Sequence, residues 1–252
     1  MVKKAQKDKK PKVLGIITAR GGSKSIPRKN IKIFAGKPLI VWSIEAGIAS
    51  EILDRLIVST EDEEIADISK KAGVEIPFMR PFELAQDDTS SLSVLQHAVS
   101  MLKEKDGYWP DYVMLLEPTS PGRQPFHIKE AIELVLESGA DAVVSVAEVP
   151  GHYNPLWQFR LKDDNEMELF TGGSIKNIVG RRQELPKTYF RNGSFYLFRP
   201  EALFAEEPSL YGEKVLAYPM DEKYSIDIDT PDDWDRGEIR LEKIIKELGK
   251  DD

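Results

Sequence analysis

The sequence predicts an α/β protein, a largely parallel sheet covered by helices. Strand-like apolar runs alternate with helix-like stretches over most of its length. The 252 residues are 41% hydrophobic and 31% charged, ordinary for a globular protein and enough to bury a core without metal or disulfide. No internal repeat or low-complexity tract interrupts the pattern.

Val13 to Ala19 reads as a buried first strand, followed by a polar Gly/Ser/Lys/Arg loop to Asn30. Pro38 opens a helix through about Ala49, since proline is well tolerated in a first turn. Leu56 to Thr60 is a second strand. It ends at an N-cap before Glu61-Asp62-Glu63-Glu64, carboxylates suited to the positive end of a helix dipole. Val74 to Met79 reads as a third strand. A helix from Ser90 to Lys103, the strand Tyr112 to Leu116, a helix from Pro125 to Glu137 and the strand Ala142 to Val146 follow. The alternation then breaks from Pro150 to Thr188, a polar stretch carrying Tyr153, Trp157, Phe159 and Phe170, and resumes at Ser194 to Phe198. Some 40 residues is too long for an ordinary connection. The segment is either a flexible excursion or a packed flap or dimerisation arm. The second is favoured because four large aromatics seldom stay exposed.

Lys plus Arg number 35 and Asp plus Glu 43, a formal charge of −8 that argues against nucleic acid as a partner. Without cysteine the chain has no disulfide scaffold, thiol nucleophile or Cys-ligated metal. His97, His127 and His152 lack metal-ligand spacing, and none is expected to be catalytic. Residues 1–12 form a basic stretch expected to be a solvated, disordered tail. The apolar run after it is too short for a signal peptide and no stretch approaches a membrane span, so a cytoplasmic protein without membrane contact is expected.

Four stretches carry candidate chemistry. The first strand runs into Ala19-Arg20-Gly21-Gly22-Ser23-Lys24-Ser25-Ile26-Pro27-Arg28-Lys29-Asn30, at the sheet edge where α/β proteins bind ligands. Gly21 and Gly22 let backbone N–H groups approach an anion, and Arg20, Lys24, Arg28 and Lys29 bring positive charge. This is the profile of a polyphosphate site, with a plain solvated basic loop as the alternative. Neither G-x-x-x-x-G-K-[ST] nor G-x-G-x-x-G is present, which removes the main support for P-loop and dinucleotide readings. In Tyr224-Ser225-Ile226-Asp227-Ile228-Asp229-Thr230-Pro231, strand alternation puts Asp227 and Asp229 on one face. Two such carboxylates with substrate phosphates suit Mg²⁺. In the rival reading Asp229 caps a helix beginning at Thr230-Pro231. Leu116-Glu117-Pro118-Thr119-Ser120-Pro121-Gly122-Arg123 is a strand end with a Pro-bracketed turn, placing Glu117 and the hydroxyls beside a ligand or serving only as a rigid turn. Arg80-Pro81 to Ser91 likewise gathers Thr89, Ser90 and Ser91 at a helix start, for a ligand or for simple capping.

These stretches, in order, resemble the acylneuraminate cytidylyltransferases, which make CMP-sialic acid and related CMP-nonulosonates. The resemblance runs from Val13 to about Trp234 and rests on ARGGSKSIPRKN, RPFELAQDDTSS, LLEPTSPGR, RRQELP, NGSFY and SIDID. It implies a Rossmann-like three-layer nucleotidyltransferase fold with a mixed, seven-stranded sheet, in a single domain of residues 13–252. Residues 150–188 then form an arm that completes a partner's site in a homodimer. By resemblance Arg20, Ser23, Lys29 and Asn30 hold the nucleotide phosphates and base of CTP, while Arg80, Thr89 and Ser91 lie near cytosine and ribose. Asp227 and Asp229 hold Mg²⁺, and Arg20, Lys29 and the two aspartates are the catalytic set. Arg182 meets the sugar acid across the dimer.

Three departures all touch the sugar side, where Glu117, Thr119, Ser120, Trp157, Arg182, Arg191 and Asn192 are expected. Glu117 stands where the family often has Gln, and a carboxylate there repels an anionic sugar acid unless protonated or paired. Trp157 stands where sialate enzymes tend to have Lys. Phe190-Arg191 precedes Asn192-Gly193 where Arg-Pro is a common form. The expected reaction is attack of the anomeric 2-hydroxyl of a nonulosonic, legionaminate-like acid on the α-phosphate of CTP, with pyrophosphate leaving. One of the paired aspartates or a metal-bound hydroxide takes the proton. A nucleotidyltransferase for a sugar 1-phosphate with another NTP, and a non-catalytic nucleotide-binding regulatory subunit, remain as alternatives.

Overall fold

The structure, a computed structural model, describes residues 11–249. The expected basic tail lies outside the described residues up to Lys10. Lys12 already belongs to the folded part, since its N–H donates to the Asp111 carboxylate at 2.8 Å.

The strands are β1 (Val13–Thr18), β2 (Ile33–Phe34), β3 (Lys37–Pro38), β4 (Arg55–Ser59), β5 (Tyr112–Leu116), β6 (Ala142–Glu148), β7 (Phe159–Leu161), β8 (Met167–Leu169), β9 (Tyr189–Phe198) and β10 (Val215–Pro219). The helices are α1 (Leu39–Ala49), α2 (Glu63–Lys71), α3 (Ser91–Asp106), α4 (Pro125–Ser138) and α5 (Pro231–Leu248). The main sheet runs β10-β6-β9-β5-β1-β4. All its pairings are parallel except those of β9, which is antiparallel to both β5 and β6.

The chain steps from β1 outward to β4 and then back past β1 to β5, so the strand order reverses between β1 and β5. A crevice opens at the carboxyl ends there, the usual ligand position in such sheets. The middle strands read as continuous apolar runs because both faces are covered. Val13 and Ile17 of β1 face Ile40, Ile44, Ile128 and Ile132 of α1 and α4. Leu14 and Ile16 face Leu95, Val99 and Leu102 of α3. A third cluster joins Phe34, Leu39 and Trp234 to Ile226 and Ile228 and so seats α5.

Four sequence expectations are corrected. Val74 to Met79 is not a strand: it makes one bridge, Ile57 with Glu75, and the sheet has six strands instead of seven. Pro77, two residues on, has no N–H with which to extend the ladder. Tyr224 to Asp229 is irregular, because Ile228 N–H donates to Thr119 of a turn (3.0 Å) and no neighbouring strand is available. The alternation survives, with Ile226 and Ile228 buried. Asp229 does not cap α5. Thr230 does, in a capping box with Asp233. The cap of α2 is Asp62, whose carboxylate accepts from Ile65 N–H at 2.9 Å, so Glu61 lies before the helix.

Between β6 and β9 the chain makes 3-10 turns and the β7–β8 hairpin, closed at its base by Val149 N–H to Thr188 O (2.8 Å). Tyr153, Phe159 and Phe170 are exposed there. No helix among the described residues is long and apolar enough to cross a membrane.

The irregular 224–229 segment is seated by backbone contact. A β-carbon on Gly122 would collide with the carbonyl oxygen of Tyr224. Backbone cannot rotate away as a side chain can, so Gly122→Ala is expected to lower Tm by roughly 5–10 °C, read by calorimetry. An unchanged Tm would show that the segment is not seated by this contact.

Candidate active site

The crevice beyond β1 and β5 is a cavity of about 550 Å³. Arg20, Ser23, Lys24, Lys29 and Asn30 line it from the loop after β1. Arg80, Gln86, Asp87, Thr89 and Ser91 line it from the segment leading into α3, and Glu117, Thr119 and Asp229 from the facing turns. The loop keeps its shape through buried contacts. Asn30 Nδ2 donates to Arg20 O at 3.0 Å, closing the loop on itself. Arg28, in a left-handed conformation (φ 57°), turns outward to Asp62 and Glu64 at the start of α2.

The two glycines do not line the cavity. Gly21 N–H is taken by Glu61 Oε1 at 2.7 Å, and a β-carbon there would run into the Asp62 carboxylate. Gly21 therefore serves close approach to that acid. An ideal β-carbon on Gly22 meets nothing within 4 Å.

Each remaining cation of the loop has a carboxylate partner. Arg20 Nη1 lies 2.9 Å from Asp87, which Lys24 also pairs. Lys29 Nζ donates to Ile228 O at 2.7 Å and to Asp229 Oδ1 at 3.2 Å, linking the loop to the acid pair. Arg80 is buried and pairs with Glu61 at 2.6 Å.

On the other side three carboxylates converge. Burial pushes Glu117 up to about 7; Arg123 opposes this and Asp227 adds to it. Burial, then Asp229, raises Asp227 to about 6, with a Thr119 hydrogen bond pulling the other way. Arg123 is itself buried, but its guanidinium donates to the backbone carbonyls of Glu117 and Ser194 and to Ser43 Oγ, and not to the Glu117 carboxylate. The Glu117 carboxylate therefore has no ion-pair partner among the described residues, and burial favours its protonated form.

The donor set fits a hard divalent cation bound jointly with substrate. Asp229 disfavours the charge on Asp227, a repulsion that a cation between the two would relieve. No group of three or more His, Cys, Asp or Glu able to hold a metal exists among the described residues, so further ligands must be substrate oxygens or water.

The remaining candidates lie elsewhere. Asp227 does not line the cavity, but sits beside Thr119 and, like Ser120, 4.0 Å from where a Gly193 side chain would begin. Asn192 is buried against Met220, and Arg191 donates to Tyr211 at 2.7 Å. Trp157 Nε1 donates to Val179 O at 2.7 Å, and Arg182 is an exposed residue lying against Gly151. Asp87, Glu61 and Arg123 were missed. Asp87 sits in an acidic pair inside a quoted motif, and Glu61 is hidden in an acidic run that reads as helix-dipole carboxylates.

A doubly covered, mostly parallel sheet with a cavity of paired cations and carboxylates at its strand reversal defines the class: an α/β protein with a charged cleft at the carboxyl edge of its sheet. Within that class the chain belongs to the cytidylyltransferase family, whose model matches residues 14–250. It is 34% identical over 237 residues to an N-acylneuraminate cytidylyltransferase of Oncorhynchus mykiss, covering 91% of this chain and 50% of that one. It is 34% identical over 228 residues to a pseudaminic acid cytidylyltransferase of Campylobacter jejuni (90% and 95% covered). It is 34% identical over 224 residues to a CMP-N,N'-diacetyllegionaminic acid synthase of Legionella pneumophila (88% and 93%). The chain thus spans half the length of the first of these relatives and nearly all of the other two. In fold it is similar to a CMP-2-keto-3-deoxy-manno-octonic acid synthetase solved with CTP, with a TM-score of 0.66 at 14% identity, covering 92% of this chain and 99% of that one.

Glu117 and Asp227 both hold their protons more tightly folded than unfolded. The stability this contributes is complete at acid pH. It declines as pH rises from the ordinary values of 4.5 and 3.8 through about 7 and 6. Glu117→Gln is expected to raise Tm of metal-free protein by a few degrees near pH ~8 and to leave it unchanged near pH ~4. Equal shifts at both would contradict the assignment.

Proposed function

We propose that the protein transfers CMP from CTP to the anomeric 2-hydroxyl of a nonulosonic acid, releasing pyrophosphate. The observation that carries this reading is the convergence of the basic loop and Asp229 on one cavity, with Asp227 next to it beside Thr119 and Lys29 at 3.2 Å from Asp229. A cation between phosphate loop and acid pair suits an anionic, triphosphate-bearing substrate.

In this reading Arg20, Ser23, Lys29 and Asn30 hold the phosphates and base of CTP, and Arg80, Thr89 and Ser91 border cytosine and ribose. Asp227 and Asp229 would hold Mg²⁺, which when bound neutralises charge on the triphosphate and on departing pyrophosphate. Arg20 and Lys29 steady the same charge from the loop. A carboxylate of the pair takes the proton of the attacking hydroxyl. Catalysis then rests on positioning and charge neutralisation, with no covalent enzyme intermediate.

The acceptor side is read from Glu117, Thr119, Ser120, Asn192 and Arg191, with Trp157 and Arg182 brought by the 150–188 arm of a second copy in a homodimer. Exposed Tyr153, Phe159 and Phe170 support this arm as a contact surface, since such a patch seldom stays open to water. A protonated Glu117 donates a hydrogen bond to a sugar acid where an ionised one repels it, and the departures at Glu117, Trp157 and Arg191 together are read as tuning toward a legionaminate-like acceptor. The reading is of a single domain over residues 13–252, located in the cytoplasm, where CTP is at hand.

The test is pyrophosphate release from CTP and Mg²⁺ with N-acetylneuraminate, a diacetylated legionaminate, a pseudaminate and 3-deoxy-octulosonate in parallel. Release with one nonulosonate is expected, and silence with all four while CTP binds would overturn the reading. Asp227→Ala and Asp229→Ala should each cut turnover by about 10³-fold or more with little change in Tm. Full activity in both would remove the metal assignment. Asp87→Asn frees Arg20 and Lys24 from an exposed ion pair and should lower the KM for CTP by about 2- to 5-fold. A raised KM would instead make Asp87 part of the binding surface.

A further inference from the structure

Glu61 lines no part of the cavity, yet both of its oxygens are committed to the walls of it. Oε1 accepts the Gly21 amide at 2.7 Å and Oε2 accepts Nη2 of Arg80 at 2.6 Å. The two side chains are 12% and 4% exposed. Arg80 is otherwise held only at its backbone, where its N–H donates to Thr60 O at 2.8 Å. Its Nε has no partner among the described residues. One carboxylate therefore fixes the direction of the Arg80 guanidinium and, through the same group, the height of the loop's first glycine. The other link between these walls, Arg20 and Lys24 to Asp87, is solvent-exposed and correspondingly weak.

We infer that Glu61 is a positioning residue for nucleotide binding, acting through Arg80 and the Gly21 amide to hold the two walls of the cavity in register. The inference rests on the nucleotide reading above. It follows from what a nearly dry carboxylate does. Buried charges keep fixed geometry because neither partner has water as a substitute, so losing one releases the other. Glutamine cannot replace it. Its single oxygen accepts from the glycine amide or from the guanidinium, and its NH₂ faces whichever donor is left.

The experiment is calorimetric titration of the full chain with CTP and Mg²⁺, using wild type, Glu61→Gln, Arg80→Ala and the double variant. Glu61→Gln is expected to raise the Kd for CTP about tenfold, as loss of a charge-assisted hydrogen bond does. On the Arg80→Ala background the same change should add less than about twofold, because the guanidinium is gone and the one amide oxygen of glutamine is then free to serve the Gly21 N–H. A Glu61→Gln protein that binds CTP as wild type does would overturn the inference, as would an effect fully additive with Arg80→Ala. Should Glu61→Gln not fold, Glu61→Asp keeps the charge but withdraws it by one carbon, and the same cycle is read with it. Wild type that binds no CTP overturns the nucleotide reading and the inference with it. Wild type that binds while the Glu61 variants are unaffected overturns the inference alone.

Discussion

Arg123 is the contact on which the site's geometry depends. Its guanidinium is buried and meets Ser194 O of β9, Glu117 O at the end of β5 and Ser43 Oγ of α1. A strand, the end of a second strand and a helix thus share a single cation directly behind the turn that carries Glu117 into the cavity. Burial lowers its pKa to about 9, so it stays charged at neutral pH. Such a group is costly to bury and costlier to remove, because its loss takes a charged donor from both carbonyls, although Glu117 O also accepts from Ser43 Oγ (3.2 Å) and from the Ser120 N–H (3.3 Å). The same cation sets the position of Glu117 without quenching it, since every bond to Glu117 goes to the backbone. An acid held by its main chain and left unpaired at its carboxyl is thereby set beside Asp227 and Asp229.

The loop side of the cavity is built by neutralising charge in pairs across separate segments. The loop after β1 brings cations, and acids arrive from the end of β4, the start of α2, the stretch before α3 and the segment before α5. Arg28 meets Asp62, Lys29 meets Asp229, Arg20 meets Asp87, and Arg80 meets Glu61. These pairs differ in burial, and burial sorts their work. Only Arg80–Glu61 is nearly dry on both sides and fixes shape, while the pairs at Arg28, Asp229 and Asp87 are partly open to water and more weakly held.

The sequence carried the elements well where a long apolar period or a strong breaker marked them, as in β1, β5 and α4. It misread Val74 to Met79 because apolar content outweighed Pro77, the residue that forbids a continued ladder. It put Asp227 and Asp229 on one face for the right reason, since Ile226 and Ile228 are buried, but on a strand that does not form. Arg20, Lys29, Arg80, Glu117 and Asp229 do meet in one cavity. What could not be read was which acid each cation takes. Lys29 and Asp229 are 200 residues apart, and no local pattern encodes a pairing made by the fold. Glu61 stayed hidden for that reason: in the chain it is one acid of four in a row, and only the fold separates it from its neighbours.

The contrast between the two halves of the site follows from where their residues are attached. The cavity's loop and turns stand at the ends of β1, β4 and β5, and buried ties at Asn30 and at Arg80–Glu61 hold them. Trp157 and Arg182 stand on an excursion held together by its own short bonds and carrying exposed aromatics. Rigid strand ends suit the part of a reaction that must align phosphates within fractions of an ångström. A segment that bonds mainly to itself is free to vary in sequence without disturbing that alignment. Of the three departures only Trp157 falls on that excursion, while Arg191 lies in β9 and Glu117 at the end of β5, where a side chain varies on backbone that the sheet holds fixed.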